Sequence, residues 1–109
     1  MTSASRAPAA YRRPGPDRAP LDYPSCRAKA LGVAVAYHRR LSGLGLRTAA
    51  VCAELTASEL ADIEDGTATP TADTLFVLAD VYRTTLVELS AEALRIAEEL
   101  YGARWRPAP

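Results

Sequence analysis

The sequence predicts an all-α fold of five short helices, lying between a proline- and arginine-rich N-terminal arm and a short C-terminal tail. Three observations carry that expectation. Between Leu31 and Leu89 the apolar residues recur at helical spacing and are interrupted by small-residue turns. Hydroxyl residues stand where four of the helices would begin: Ser25, Thr56, Thr71 and Thr85. The central segment, Thr56 to Gly66, carries both a start and a stop signal. Thr56 can accept the Glu59 amide while Glu59 reaches back to the Thr56 amide, and Gly66 tolerates the left-handed turn that closes a helix.

Each element follows in order. Residues 1–24 hold Pro8, Pro14, Pro16, Pro20 and Pro24 among Arg, Ala and Ser. Such a stretch buries too little apolar surface to offset its ordering entropy, so it is expected to be a disordered arm. Ser25 caps a first helix running to about Ser42, with Leu31, Ala34, Val35 and His38 inward. Gly43 and Gly45 end it and open a second helix, Leu46 to Glu54, buried through Ala49, Ala50 and Ala53. The third helix is the Thr56–Gly66 segment, with Leu60 and Ile63 on one face. Residues 66–71 form a loop by composition. Thr71 caps a fourth helix to about Tyr82, with Leu75, Leu78, Ala79 and Tyr82 inward. Thr85 starts a fifth, in which Ser90 is either a restart or an internal residue. Along it Leu86, Leu89, Ala93, Ile96 and Leu100 are spaced as a heptad seam, which serves either a homodimer or packing on the domain's own core.

Length and composition bound the rest. The 109 residues suit one small domain with tails, and alanine makes up much of the apolar content, so the core is thin. The expected organisation is an arm over 1–24, a domain over 25–89, and a C-terminal helix and tail over 90–109 that can serve dimerisation. Abundant Ala, Arg, Pro and Gly beside a single Lys suggests a bacterial, G+C-rich genome. The net charge is zero, but residues 1–30 carry about +4 and residues 31–90 about −4. Cys26 and Cys52 have no metal-ligand or redox spacing, and with one histidine neither a zinc site nor any other cofactor is expected. No apolar run approaches a membrane span. Arg12-Arg13 precedes Pro-Gly-Pro-Asp rather than an apolar stretch, so it is not an export signal, and a cytoplasmic location is expected. No nucleophile–base pair or phosphate-cradling glycine loop is present, so an enzyme is not expected.

Taken together, Leu31-Gly32, Val35, Arg39, Gly43-Leu44, Ala50, Leu55, Ser58, Leu60, Ile63-Glu64-x-Gly66, Pro70, Leu75 and Leu78-Ala79 resemble the Cro/phage-repressor helix-turn-helix family, also called XRE. The resemblance covers residues 31–89. It implies a DNA-binding transcriptional regulator, commonly dimeric, whose third helix reads double-stranded DNA. It also implies that Arg39 on the first helix pairs with Glu64, a structural ion pair tying the first helix to the recognition helix. His38 falls where the family has an apolar residue, and is read either as a ligand or pH switch or as a satisfied half-buried histidine.

The positions that the family uses on DNA are where this sequence departs. The glutamine that opens the second helix is Leu46 here. Recognition-helix contacts map to Thr56, Ala57, Ser58, Glu59, Ala61 and Asp62, and the basic residues usual after the glycine are Thr67, Ala68 and Thr69. The candidate DNA-contacting set is therefore Arg47, Thr56, Ala57, Ser58, Glu59, Asp62 and Thr67, with Arg12, Arg13 and Arg18 of the arm supplying phosphate contacts. Glu59, Asp62, Glu64 and Asp65 leave the recognition helix acidic and without a cation. Three readings of that face stand open: carboxylates accepting from cytosine amines in the major groove, a surface for a basic protein partner at Glu59, Asp62 and Asp65, or a solvated face. The leading expectation is a dimeric DNA-binding regulator. The alternative is a helix-turn-helix interaction module, antitoxin-like or a regulatory partner, with little DNA binding of its own.

Overall fold

The computed structural model describes residues 23–102, and all five elements in that span are α-helices: α1 Tyr23–Leu41, α2 Leu46–Cys52, α3 Ala57–Asp65, α4 Ala72–Val81 and α5 Leu86–Tyr101. The arm residues Arg12, Arg13 and Arg18, and the tail after Gly102, lie outside the described residues.

Three of the four hydroxyl caps act as the sequence predicts. Thr56, Thr71 and Thr85 each accept the amide three residues on, from Glu59, Thr74 and Glu88. Ser25 does not cap α1, because the helix already begins at Tyr23; proline is tolerated in a first turn, so Pro24 does not stop it. The second helix is also shorter than expected. It ends at Cys52, and Glu54 adopts a left-handed conformation with φ +61° that turns the chain toward α3. Ser90 lies inside one continuous α5.

The core is small and alanine-rich. Ala30, Ala34, Val35, Ala49, Ala50, Leu60, Leu78 and Leu89 are at most 1% exposed, so α1, α2, α3, α4 and α5 all contribute to one cluster. The long α1 is its spine, packing on both α5 and α3, while α2 packs on α3 and α4 on α5. Small side chains let backbones approach closely. At Gly32 an added Cβ would stand 2.4 Å from the Ile63 carbonyl oxygen and 2.5 Å from that of Glu64. Gly66, at φ +79°, has Lys29 Cα within 2.8 Å of the same notional atom.

The heptad seam of α5 is largely consumed by this packing. Leu89 and Ile96 are buried in the domain's own core, Ala93 packs against it, and Leu86 is half-buried. Leu100 alone of the five is more than half exposed, at 56%. Of the positions expected to make a dimer contact, Leu89 and Ile96 are taken by the domain's own core, the other use that the heptad spacing allowed. Side chains buried against α1 in this way, Leu89 and Ile96, are not open to a second copy.

Candidate nucleic-acid interface

Helices α2 and α3 form the candidate site, joined by the four residues Ala53–Thr56. Glycine often makes such a turn; here Glu54 takes the left-handed conformation instead. The turn is closed by the Leu55 amide donating to the Ala50 carbonyl at 2.8 Å. At the head of α3 the capping box is complete: the Glu59 amide donates to Thr56 Oγ1 at 3.0 Å, and the Thr56 amide donates to Glu59 Oε1 at 2.8 Å. At its tail the Gly66 amide reaches the Ile63 carbonyl at 3.1 Å. Two of the four amide donors that a helix start leaves open, and part of the open carbonyls at its end, are thereby satisfied. A nine-residue helix too short to persist alone is held at both ends.

Its orientation is fixed from behind. Arg39 Nε donates to Glu64 Oε2 at 2.7 Å and Arg39 Nη2 to Glu64 Oε1 at 3.0 Å, a bidentate pair with side chains 14% and 10% exposed. The third arm of the guanidinium, Nη1, donates to the Leu44 carbonyl at 3.0 Å. One arginine thus joins α1, the α1–α2 turn and α3. The hydrogen bond to Glu64 strengthens the arginine's hold on its proton, and burial works against it.

Tyr82, the residue closing α4, lies under this pair. Burial pushes its phenol up to about 12, the Glu64 charge adding to the shift and Arg39 opposing it. Its hydroxyl is buried and has no hydrogen-bond partner. His38, half-buried on α1, has Nε2 in the same condition, and its ring meets Tyr37 edge-on at 5.4 Å.

With the back of α3 engaged, its front is open. Thr56, Ser58, Glu59, Asp62 and Asp65 are exposed, Ala57 and Ala61 are half-buried, and Arg47 is exposed on α2. Thr67 is exposed beyond the helix, its hydroxyl donating to the Asp62 carbonyl at 3.2 Å. Leu46 is half-buried against the core, so the position of the family's glutamine is turned to packing. The front therefore combines two neutral hydroxyls with three exposed carboxylates, one of them committed to the capping box. Among the described residues no cluster of His, Cys, Asp and Glu could hold a metal ion, and no helix is long and apolar enough to cross a membrane.

Sequence reasoning found the capping box and the Arg39–Glu64 pairing, the latter only through the family resemblance. It did not find the contact of Gly32 with α3, the place of Tyr82 beside the ion pair, or the strained Glu54. Leu31-Gly32 was visible as a pattern, but a close approach across 31 residues of chain leaves no local signature.

No protein-family model matches the sequence, and no curated protein does. Two crystal structures of the clp gene regulator ClgR from Corynebacterium glutamicum are similar in fold. One has a TM-score of 0.63 at 21% identity over 65% of this chain and 91% of its own. The other has 0.65 at 22%, over 68% and 78%. At such identity the likeness bears on the fold: residues 23–102 form an all-helical, five-helix domain of the helix-turn-helix type.

Proposed function

We propose that the protein is a bacterial, cytoplasmic transcriptional regulator of the Cro/phage-repressor (XRE) type, which binds double-stranded DNA through α3 and acts as a homodimer. The observation that carries this reading is the presentation of α3. Arg39 and Gly32 hold its back, the capping box holds its first turn, and Thr56, Ser58, Glu59 and Asp62 face outward beside Arg47. Such a helix, rigidly offered by a second helix behind a short turn, is built to enter a major groove. The similar fold belongs to a protein described as a gene regulator.

The charge of that face sets the affinity. Each carboxylate near a phosphate opposes binding by ~1 kcal/mol or more, depending on the local dielectric. Glu59, Asp62 and Asp65 therefore offset much of what Arg47 and the arm residues Arg12, Arg13 and Arg18 would gain by releasing counterions. Binding by one copy is weak, and two copies on adjacent half-sites compensate. Because the core takes Leu89 and Ile96, a dimer formed through α5 has only the exposed positions of that helix to use.

A second reading is favoured by one observation: Glu59, Asp62 and Asp65 are all exposed on a helix with no cation. On this reading the fold serves as an interaction module for a basic protein surface. The experiment that separates the two is selection of the full chain against fragmented genomic DNA at ~0.15 M salt. A recovered motif with repeated half-sites establishes a dimeric sequence-specific regulator. Retention that vanishes as salt rises, with no motif, leaves the protein-partner reading.

A further inference from the structure

A second surface is left unexplained by α3. Along the outer side of α1, Val33, Tyr37 and Leu41 follow one another at four-residue spacing, 43%, 45% and 64% exposed. Beside them, between α1 and α5, runs a groove of about 500 Å³. Tyr37, His38 and Leu41 wall it from α1, and Glu88, Ala91, Glu92 and Arg95 wall it from α5. An apolar row rimmed by charge is the make-up of a protein-binding surface. We propose that a second copy of the chain docks here, α1 of each copy lying over α5 of the other. This rests on the homodimer reading above and gives that dimer its surface.

Charge selects that occupant. Helix α1 has no carboxylate between Tyr23 and Leu41, and its last turn holds His38, Arg39 and Arg40. Arg39 is engaged by Glu64, which leaves the exposed Arg40 as the cation at the margin of the apolar row. The wall on α5 is acidic in balance. Glu88, Glu92 and Glu99 stand there against Arg95, which is itself tied to Glu92 and Glu99. One helix of the face is thus positive and its neighbour negative. A two-fold axis running along the groove sets each α1 over the other copy's α5, so that opposite charges meet twice. Rotation about that axis keeps every residue at its height along the groove. Arg40 follows Tyr37 by one turn and adjoins Leu41, which shares its end of the groove with Glu88. Arg40 of each copy therefore comes to Glu88 of the other.

Other occupants fit less well. The acidic wall repels phosphate, so neither DNA nor an anionic lipid surface suits the face as a whole. Docking about an axis across the groove would set α1 on α1 and bring like charges together. The apolar row supplies the anchors, and the Tyr37 ring, braced edge-on by His38, is the broadest of them. None of these residues belongs to the outward side of α3, so the two surfaces are separate.

The test is sedimentation of the full chain over a dilution series, beside variants of the face. A reversible dimer is expected. Tyr37→Glu and Leu41→Glu should each raise its dissociation constant by about tenfold or more, as the loss of a packed anchor does. Arg40→Glu and Glu88→Lys, both at exposed positions, should each weaken the dimer. The chain carrying both should regain most of the wild-type affinity, because the crossed pair is restored with its signs exchanged. Phe76→Glu, on α4 and 58% exposed, should change nothing. Circular dichroism checks that each variant keeps its helices; where an apolar-row variant does not, the charge exchange still decides. A dimer indifferent to all these changes overturns the assignment of this face and leaves the homodimer reading standing on another surface. Single charge changes that weaken the dimer without recovery in the double variant overturn the crossed arrangement. A chain that stays monomeric at every concentration, alone and on DNA, overturns both readings and leaves the face to a different protein.

Discussion

Gly32 lies so close to Ile63 that the two helices carrying them meet backbone to backbone: a methyl group on the glycine would stand 2.4 Å from the Ile63 carbonyl oxygen. Gly32→Ala must push α3 away from α1, and should lower stability by about 1–3 kcal/mol, as overpacking of a close interface does. Gly43→Ala provides the contrast. It meets nothing within 4 Å but sits at φ +73°, so only backbone strain of about 1–2 kcal/mol is expected. Urea unfolding of both variants checks this. Arg39–Glu64 geometry should suffer in the first and not in the second.

Removing one member of the ion pair strands the other in a site about nine-tenths enclosed. Arg39→Met or Glu64→Leu alone should each cost ~3–5 kcal/mol, the upper end applying if the site stays dry. The double variant should recover a large part of the loss, because no buried charge remains. A double-mutant cycle measures this directly, and additive losses would show that the pair is worth nothing as a pair.

Tyr82 supplies a pH dependence. Its folded pKa is raised from 10 to about 12, so the neutral phenol's contribution is complete below pH 10 and lost as pH climbs toward about 12. Wild-type stability should therefore fall across that alkaline window more steeply than that of Tyr82→Phe. At neutral pH the phenylalanine variant should be more stable by about 1 kcal/mol, since the hydroxyl it removes is buried without a partner. Denaturant titrations at neutral and alkaline pH give both numbers.

Charge reversal on the open face tests its use. Asp62 is exposed and makes no cap, so Asp62→Lys should leave the thermal transition almost unmoved. If α3 approaches DNA, non-specific affinity should rise and the log–log salt slope steepen by about 1. If the face meets a basic protein, the same change should abolish that complex. Glu59→Lys carries both effects but also loses half of the capping box, which makes Asp62 the cleaner position.

The two ends of the α5 seam should respond differently. Leu89→Ala empties a fully buried position and should cost ~2–5 kcal/mol at every protein concentration. Leu100→Ala, on a side chain 56% exposed, should stay within about 0.5 kcal/mol. A loss at Leu100 that grows on dilution would reveal a second copy resting on that end of the helix.

Local chemistry was legible from sequence, and distance along the chain set the limit. The capping box at Thr56 and Glu59, the stop at Gly66, and the inward faces of α2, α3 and α4 are written within a few residues of each other and emerged as expected. The start of α1 was misplaced because Ser25 is a good cap by residue type, yet it lies inside the helix and not at its start. The end of α2 was misplaced because a glutamate occupies a turn conformation that usually signals itself with glycine. The heptad of α5 could not choose between partners, since period alone does not say which apolar surface lies opposite. Tyr82 beside Glu64 and Gly32 beside Ile63 are products of tertiary packing, and no spacing rule contains them.

The clamp behind α3 has a consequence for how such a protein can change. Everything that holds the helix in position acts on its rear or its two ends, so most of its forward side chains are mechanically idle. Replacing Ser58 or Asp62 alters what the surface greets without disturbing how it is mounted. Acidic residues could therefore accumulate there at little structural cost, and a basic or neutral set could be installed on the same mounting. Specificity in this domain is a detachable property, carried by a few outward atoms on a frame that does not depend on them.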